Sequence, residues 1–367
     1  MKETWIVKIG SSLISNSNSG LNIKNINSWV SQISKLISNN INIIVVSSGA
    51  IAEGINRLRL SKKPKTTSEL QALAAIGQMG LIQAYESSFK KYNILTAQIL
   101  LTHEDLSNRQ RYLNIKNTLN HLIKYNIIPI INENDTVSTA EIKFGDNDTL
   151  AALVANLVQA KNLIILTDQD GLFTNDPKIN SSSELIDEIS VLNRNLNFYA
   201  GPSKSDIGRG GMITKISAAK KAAKSNTQTF IVNGNKKNIL IKILNKEKNI
   251  GTFIYNHNKA ISSKKQWIAN SLKIKGKIII DSGAKKIIQK SGKSLLPVGI
   301  KSISGVFQKG DMVTICSSKN IEIARGLTNY SSYDLEKIIG KSTSEIIKKY
   351  SNLGNEVVIH TDNMIIS

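Results

Sequence analysis

A lysine interrupts an apolar run in "VKIGSS" (residues 7–12), just ahead of a Gly-Ser-Ser turn. Lys8 either reaches past a strand end into water or meets an anion there, and Gly10 would let a phosphate approach the backbone. "SSGAIAEG" (47–54) follows the apolar "INIIVV". Its small residues open a helix whose first N–H groups and positive dipole end suit an anion, unless it is an ordinary strand–helix turn. "NENDTVSTAEIKFGDNDTLAALVA" (132–155) carries Asp135, Asp146 and Asp148 with Asn134 and Asn147. Asp148 alone reads equally as a helix N-cap. Three acids exceed the needs of one cap and suit an ammonium group, a metal ion or a pair of lysines. "LTDQDGLFTNDP" (166–177) sets Thr167 and Asp168 at a strand end, or in a plain surface turn. "GRGGMITKISAAKKAAK" (208–224) is a glycine-rich loop opening a helix. Lys215 falls in its first turns, where a cation opposes the dipole and is tolerated best beside an anion. The alternative is a solvated helix lysine.

Elements that hold such residues alternate along the first two thirds of the chain. "TWIVKI", "INIIVVS", "TAQILLT", "IIPIINEN" and "NLIILTD" read as buried strands, with helices at "WVSQISKLI", "AIAEGINRL" and "DTLAALVANLVQA". Continuous apolar strands alternating with helices predict a mostly parallel sheet covered on both faces. Ligands of such sheets gather at the strands' carboxyl ends, where the polar punctuation falls. "YNHNKAISSKKQWIAN" reads as a linker. Beyond it "KGKIIID", "GVFQKGDMVTI", "IEIARGL" and "EVVIH" predict a small β-rich domain. The expected division is 1–255, a linker at 256–272, and 273–367.

With 367 residues, two domains are expected. The single cysteine, Cys316, excludes an intrachain disulfide framework or a Cys-rich zinc site. No apolar run approaches the roughly 20 residues of a membrane span, and the start lacks a signal-peptide pattern. A cytoplasmic protein is expected. The net charge of +21 suits a polyanion partner. The lysines are nevertheless scattered among Asn, Ile and Ser, as compositional drift would leave them. "SGKS" (291–294) and "GKST" (340–343) imitate a phosphate loop but carry Ile287 and Leu335 where its first glycine belongs.

Taken in order, "VKIGSS", "SSGAIAEG", "ALAAIGQMGLIQAY", "QILLT", "INENDTVSTAEIKFGDNDTLAALVA", "LTDQDGLFTNDP" and "GGMITK" resemble the amino acid kinase family. "GAKKIIQKSGKSLLPVGIKSISGVFQKGDMVTI" is similar to a PUA domain. The resemblance implies the amino acid kinase fold, a mostly parallel sheet flanked by helices, plus a β-rich PUA-like domain. It implies ATP-dependent phosphorylation of the side-chain carboxylate of L-glutamate to L-glutamyl 5-phosphate, the first step of proline synthesis, with Mg²⁺. Lys8 and Lys215 would contact the transferring phosphate, and Asp148 would orient them. Ser48, Asp135 and Asn147 would hold glutamate. Thr167, Asp168, Arg209, Gly210, Gly211, Met212, Ile213, Thr214 and Lys215 would surround ATP. No protein metal ligand is named. Arg209 departs from the family motif, which usually has Thr there. Members are commonly homo-oligomers, so a dimer or tetramer is expected.

A carboxylate acceptor is already ionised near neutral pH and needs no general base, which suits a chain whose motifs are built of lysines, acids and glycines. Other acyl-phosphate-forming kinases, acting on N-acetylglutamate, aspartate or carbamate, are the nearest rivals. A free α-ammonium calls for an acid such as Asp135; an acetylated one does not. RNA binding is the rival from another class, from the PUA-like domain and the basic charge.

Overall fold

The computed structural model describes residues 2–16, 20–137, 147–175, 180, 182–200, 211–256, 274–291, 293–342, 345–346 and 357–366. The chain divides into two compact units, Met1–Ala260 and Ile261–Ser367. Apart from Asn256, the expected linker at 256–272 lies outside the described residues.

The first unit is built on strands β1 (Thr4–Ile9), β4 (Asn42–Ser47), β5 (Thr96–Leu101), β6 (Ile128–Glu133), β7 (Asn162–Thr167), β8 (Glu188–Ser190), β9 (Gln228–Asn233) and β10 (Gly251–Tyr255). They lie in the order β5-β6-β4-β1-β7-β9-β10-β8. Every pairing is parallel except β9 with β10. The five strands expected from apolar runs are the first five from the β5 edge. β8, β9 and β10 extend the sheet beyond them, and their short runs sit among Lys and Asn that hide them in the sequence. A two-residue hairpin, β2 (Ser15–Asn16) and β3 (Gly20–Leu21), follows the short helix α1 (Ser11–Ile14).

Helix α2 (Ile23–Ser38) starts where the Asn22 side chain accepts from Asn25 N, and buries Ile26, Trp29, Val30, Ile33 and Leu36 at helical spacing. They pack with Val7, Ile9, Ile43 and Val45 on one sheet face. Helices α3 (Ala50–Arg57) and α4 (Thr67–Lys90), the latter opened by a Thr66/Glu69 capping box, follow β4. They touch through glycines: a Cβ at Gly77 would lie 1.8 Å from Ala50 O, and one at Gly54 2.0 Å from Leu73 O. Helices α5 (His103–Ser107) and α6 (Arg109–Lys124) join β5 to β6. The opposite face of β1 packs against α7 (Asn147–Val158), which in turn packs on α8 (Met212–Ala223). Helix α9 (Ile239–Leu244) lies against α2.

In the second unit a five-stranded sheet runs β12 (Ile300–Ser304), β11 (Gly276–Ile280), β13 (Met312–Ser317), β14 (Glu322–Leu327), β15 (Met364–Ile366). Helices Ser282–Ser291 and Ser332–Ile338 accompany it. Of the expected strand "EVVIH", Glu356 lies outside the described residues, and among the described ones only Ile359 bridges, to Leu295; the strand at that edge of the sheet is β15. The first phosphate-loop imitation begins at the end of the helix Ser282–Ser291, and the second follows Ser332–Ile338. Neither links a strand to a helix. Among the described residues no helix is long and apolar enough to cross a membrane.

Candidate active site

Three strand ends and two helix starts meet in the first unit. Along β1 side chains alternate between faces, so Lys8 points away from Val7 and Ile9 and toward α7. Its Nζ lies 2.5 Å from Asp148 Oδ1. Asp148 Oδ2 is 3.3 Å from Lys215 Nζ and accepts from Thr214 Oγ1 at 2.8 Å. Asp148 is therefore no N-cap. Helix α7 already includes Asn147, and the carboxylate crosses to β1 and α8.

All three charged side chains are at least nine-tenths buried. Burial alone would push the Asp148 carboxyl upward, but the charges of Lys8 and Lys215 and hydrogen bonds from Lys8 and Thr214 hold it below its ordinary value. Burial lowers the Lys215 ammonium, and Lys8 adds to the effect while Asp148 opposes it. One carboxylate stands between two cations. Among the described residues the cluster therefore keeps a positive excess in a poorly solvated place, which an incoming anion would neutralise. The first turn of α8, opened by Gly211, adds backbone N–H groups to the same region.

Around it a second, neutral network is organised by Asn147. Its Nδ2 donates to Ser47 O at 3.1 Å, Ser48 Oγ at 2.9 Å and Asn132 Oδ1 at 3.1 Å. Its Oδ1 is buried without a partner among the described residues, an acceptor of the kind an ammonium group could use. Gly49 follows with φ of 109°, a left-handed turn natural to glycine, and delivers the chain into α3.

Thr167 ends β7 with its carbonyl accepting from Gly234 N at 2.9 Å, and its hydroxyl donates to Asp168 Oδ1 at 3.2 Å. Asp168 is exposed, and its charge also acts on Lys215. Asp135 is half-buried in the turn after β6. Gly211, Met212, Ile213 and Thr214 form the start of α8, with Ile213 48% exposed. Arg209, Gly210 and Asp146 lie outside the described residues. The structure thus joins Lys8, Asp148, Thr214 and Lys215 in one cluster, and Ser48 with Asn147 in the next. Gln78 and Asn132, linked at 2.9 Å, were not singled out from sequence as site residues. For Gln78 the signal was a single amide in the apolar or small-residue run "AAIGQMG"; Asn132 opens the polar "NEN" that ends the apolar run "IIPII".

Profile comparison matches residues 3–233 to the amino acid kinase family. The chain belongs to that family. A PUA domain matches residues 276–350. This amino acid kinase is 49% identical to a glutamate 5-kinase of Hydrogenovibrio crunogenus, covering 99% of this chain and 96% of the relative. It is 46% identical to those of Nitrosospira multiformis, covering 98% and 97%, and Methylococcus capsulatus, covering 99% and 96%.

Proposed function

We propose that this protein transfers the γ-phosphoryl group of ATP to the side-chain carboxylate of L-glutamate, giving L-glutamyl 5-phosphate and ADP. The observation that carries this reading is the near-full-length similarity to proteins named glutamate 5-kinase. The buried pair of lysines on one carboxylate supports it chemically.

A γ-carboxylate oxygen forms a bond to the γ-phosphorus. The bond from that phosphorus to the β,γ-bridging oxygen breaks, and its electron pair leaves with ADP. Two anions must be brought together, so the demand on the protein is positioning and charge neutralisation. Lys8 and Lys215 flank the transferring group, and Asp148 fixes both ammonium groups and keeps them aimed. Ser48, Asn147 and Asp135 hold the amino acid. Thr167, Asp168 and residues 209–215 surround the nucleotide. Both Asp148 oxygens are committed to lysines, so Mg²⁺ would be held mainly by ATP phosphates and water, where it neutralises phosphate charge.

The test is ATP-dependent acyl-phosphate formation trapped as a hydroxamate, with L-glutamate, N-acetyl-L-glutamate, L-aspartate and carbamate compared. Turnover confined to L-glutamate is expected. Turnover with another acid would overturn the substrate and keep the mechanism. Inactivity of folded protein with all four acids in the presence of Mg²⁺ would overturn the kinase reading, and salt-dependent RNA affinity would then favour the rival.

A further inference from the structure

Gln78, on α4, ends a chain of three side-chain amides whose orientations fix one another. Asn147 Nδ2 donates to three oxygens, so its nitrogen must face Ser47, Ser48 and Asn132. The Asn132 Oδ1 accepts from Asn147 and also from Glu133 N at 2.9 Å, which turns Asn132 Nδ2 toward α4. There it donates to Gln78 Oε1 at 2.9 Å. Gln78 Nε2 is therefore turned away from Asn132. It is buried, has no partner among the described residues, and belongs to a residue only 8% exposed. A buried amide nitrogen with both N–H groups unsatisfied is uncommon in a native core, and a bound acceptor is one way to satisfy it. The backbone contact of Gly77 with Ala50 pins this turn of α4 against α3, so Gln78 has little room to swing elsewhere.

The chain of amides has a direction. It starts beside Asp148, where the lysines await the phosphoryl group, and runs through Asn147 and Asn132 to Gln78. An acceptor whose reacting carboxylate lay at the lysines and whose length followed this line of amides would bring its other end toward Gln78. On the substrate reading above, on which this inference rests, that end is an α-ammonium and an α-carboxylate. A donor-only nitrogen selects the carboxylate. We propose that Gln78 Nε2 donates to the α-carboxylate of the bound amino acid, and so helps select an α-amino acid.

Gln78→Met removes the donor at similar volume. Its KM for L-glutamate should rise on the order of 10- to 100-fold, the size expected for losing a charge-assisted hydrogen bond. The KM for ATP should stay near wild type. 4-Aminobutyrate keeps the ammonium group and the reacting carboxylate but lacks the α-carboxylate. As a competitor it should inhibit both proteins with nearly the same Ki. Gln78→Glu keeps the acceptor for Asn132 Nδ2 and serves if the Met variant fails to fold; it should raise the glutamate KM as well. Wild-type turnover on L-glutamate with an unchanged KM in the folded variant would overturn the role of Gln78 alone. So would a 4-aminobutyrate Ki that rises as much as the glutamate KM. Wild-type protein that phosphorylates a different acid and ignores L-glutamate would overturn the substrate reading, and this proposal with it.

Discussion

The Lys8 ammonium lies 2.5 Å from the Asp148 carboxylate, and neither side chain exposes more than 7% of its surface. A strand end and the first turn of a helix thereby share one buried charge pair, with Lys215 on the second oxygen. The lysine that interrupts β1 carries its head group to this buried cluster, while the strand around it belongs to the core.

Lys8→Ala should lower kcat by about 10²- to 10³-fold, the usual effect of removing one donor from developing transition-state charge. The KM for L-glutamate should change little, since the proposed partner of Lys8 is the phosphoryl group. Steady-state hydroxamate assays decide it; near-normal kcat would remove Lys8 from the mechanism.

Asp148→Asn leaves two buried ammonium groups with no anion between them. Breaking a buried pair this way costs about 3–5 kcal/mol, so the variant should unfold at markedly lower denaturant near neutral pH. The Asp148 carboxyl is held below its ordinary value of 3.8 in the folded protein. A depressed carboxyl contributes stability that is complete above the unfolded value and is lost as pH falls through the folded one. The stability gap between wild type and variant should therefore be constant above about pH 5 and narrow below 3.8. A gap independent of pH down to the acid transition would contradict the ion-pair account.

The parallel core was legible because β1, β4, β6 and β7 are nearly unbroken apolar runs, which only a sheet covered on both faces accommodates. Lys8, Lys215 and Asp148, which the fold brings into one cluster, were legible as candidates because each sits at a strand end or helix start, where a charge needs a reason. The choice between N-cap and ion-pair partner for Asp148 was not, because it depends on where α7 begins and on which side chains the fold carries across from β1 and α8. Gln78 was hidden for the same reason. A lone amide in a helix signals nothing until its partner on β6, 54 residues along the chain, is known. In the small unit, the apolar "VVIH" promised a strand. Among the described residues only Ile359 makes a bridge there, and β15 forms that edge of the sheet instead.

Asp135→Ala should raise the KM for L-glutamate by about 10- to 100-fold with a smaller effect on kcat, because it removes the proposed partner of a charged ammonium group. The wild-type preference for L-glutamate over N-acetyl-L-glutamate should shrink in the variant. An unchanged KM would place the ammonium group elsewhere.

Gly77→Ala tests whether the contact between α3 and α4 sets the site as well as the core. The added methyl would fall 1.8 Å from Ala50 O and 2.4 Å from Gly54 N. Both are backbone atoms, so no side chain can swing aside and the helices must part. Overpacking of this kind costs about 1–3 kcal/mol. Ala50 opens α3 next to Ser48 and Gly49, and Gln78 follows Gly77 directly. Parting the helices therefore moves both sides of the amide network. A lowered melting temperature should be accompanied by a raised KM for L-glutamate, with a smaller change in the KM for ATP because the atoms nearest the added methyl lie on α3 and not on α8 or β7. Gly80→Ala makes the comparison. The atoms nearest its methyl would be the ends of the Arg57 and Glu53 side chains and not backbone, so stability and KM should stay closer to wild type than in Gly77→Ala. If Gly77→Ala lowers stability and leaves the glutamate KM untouched, the glycine contact serves the core alone.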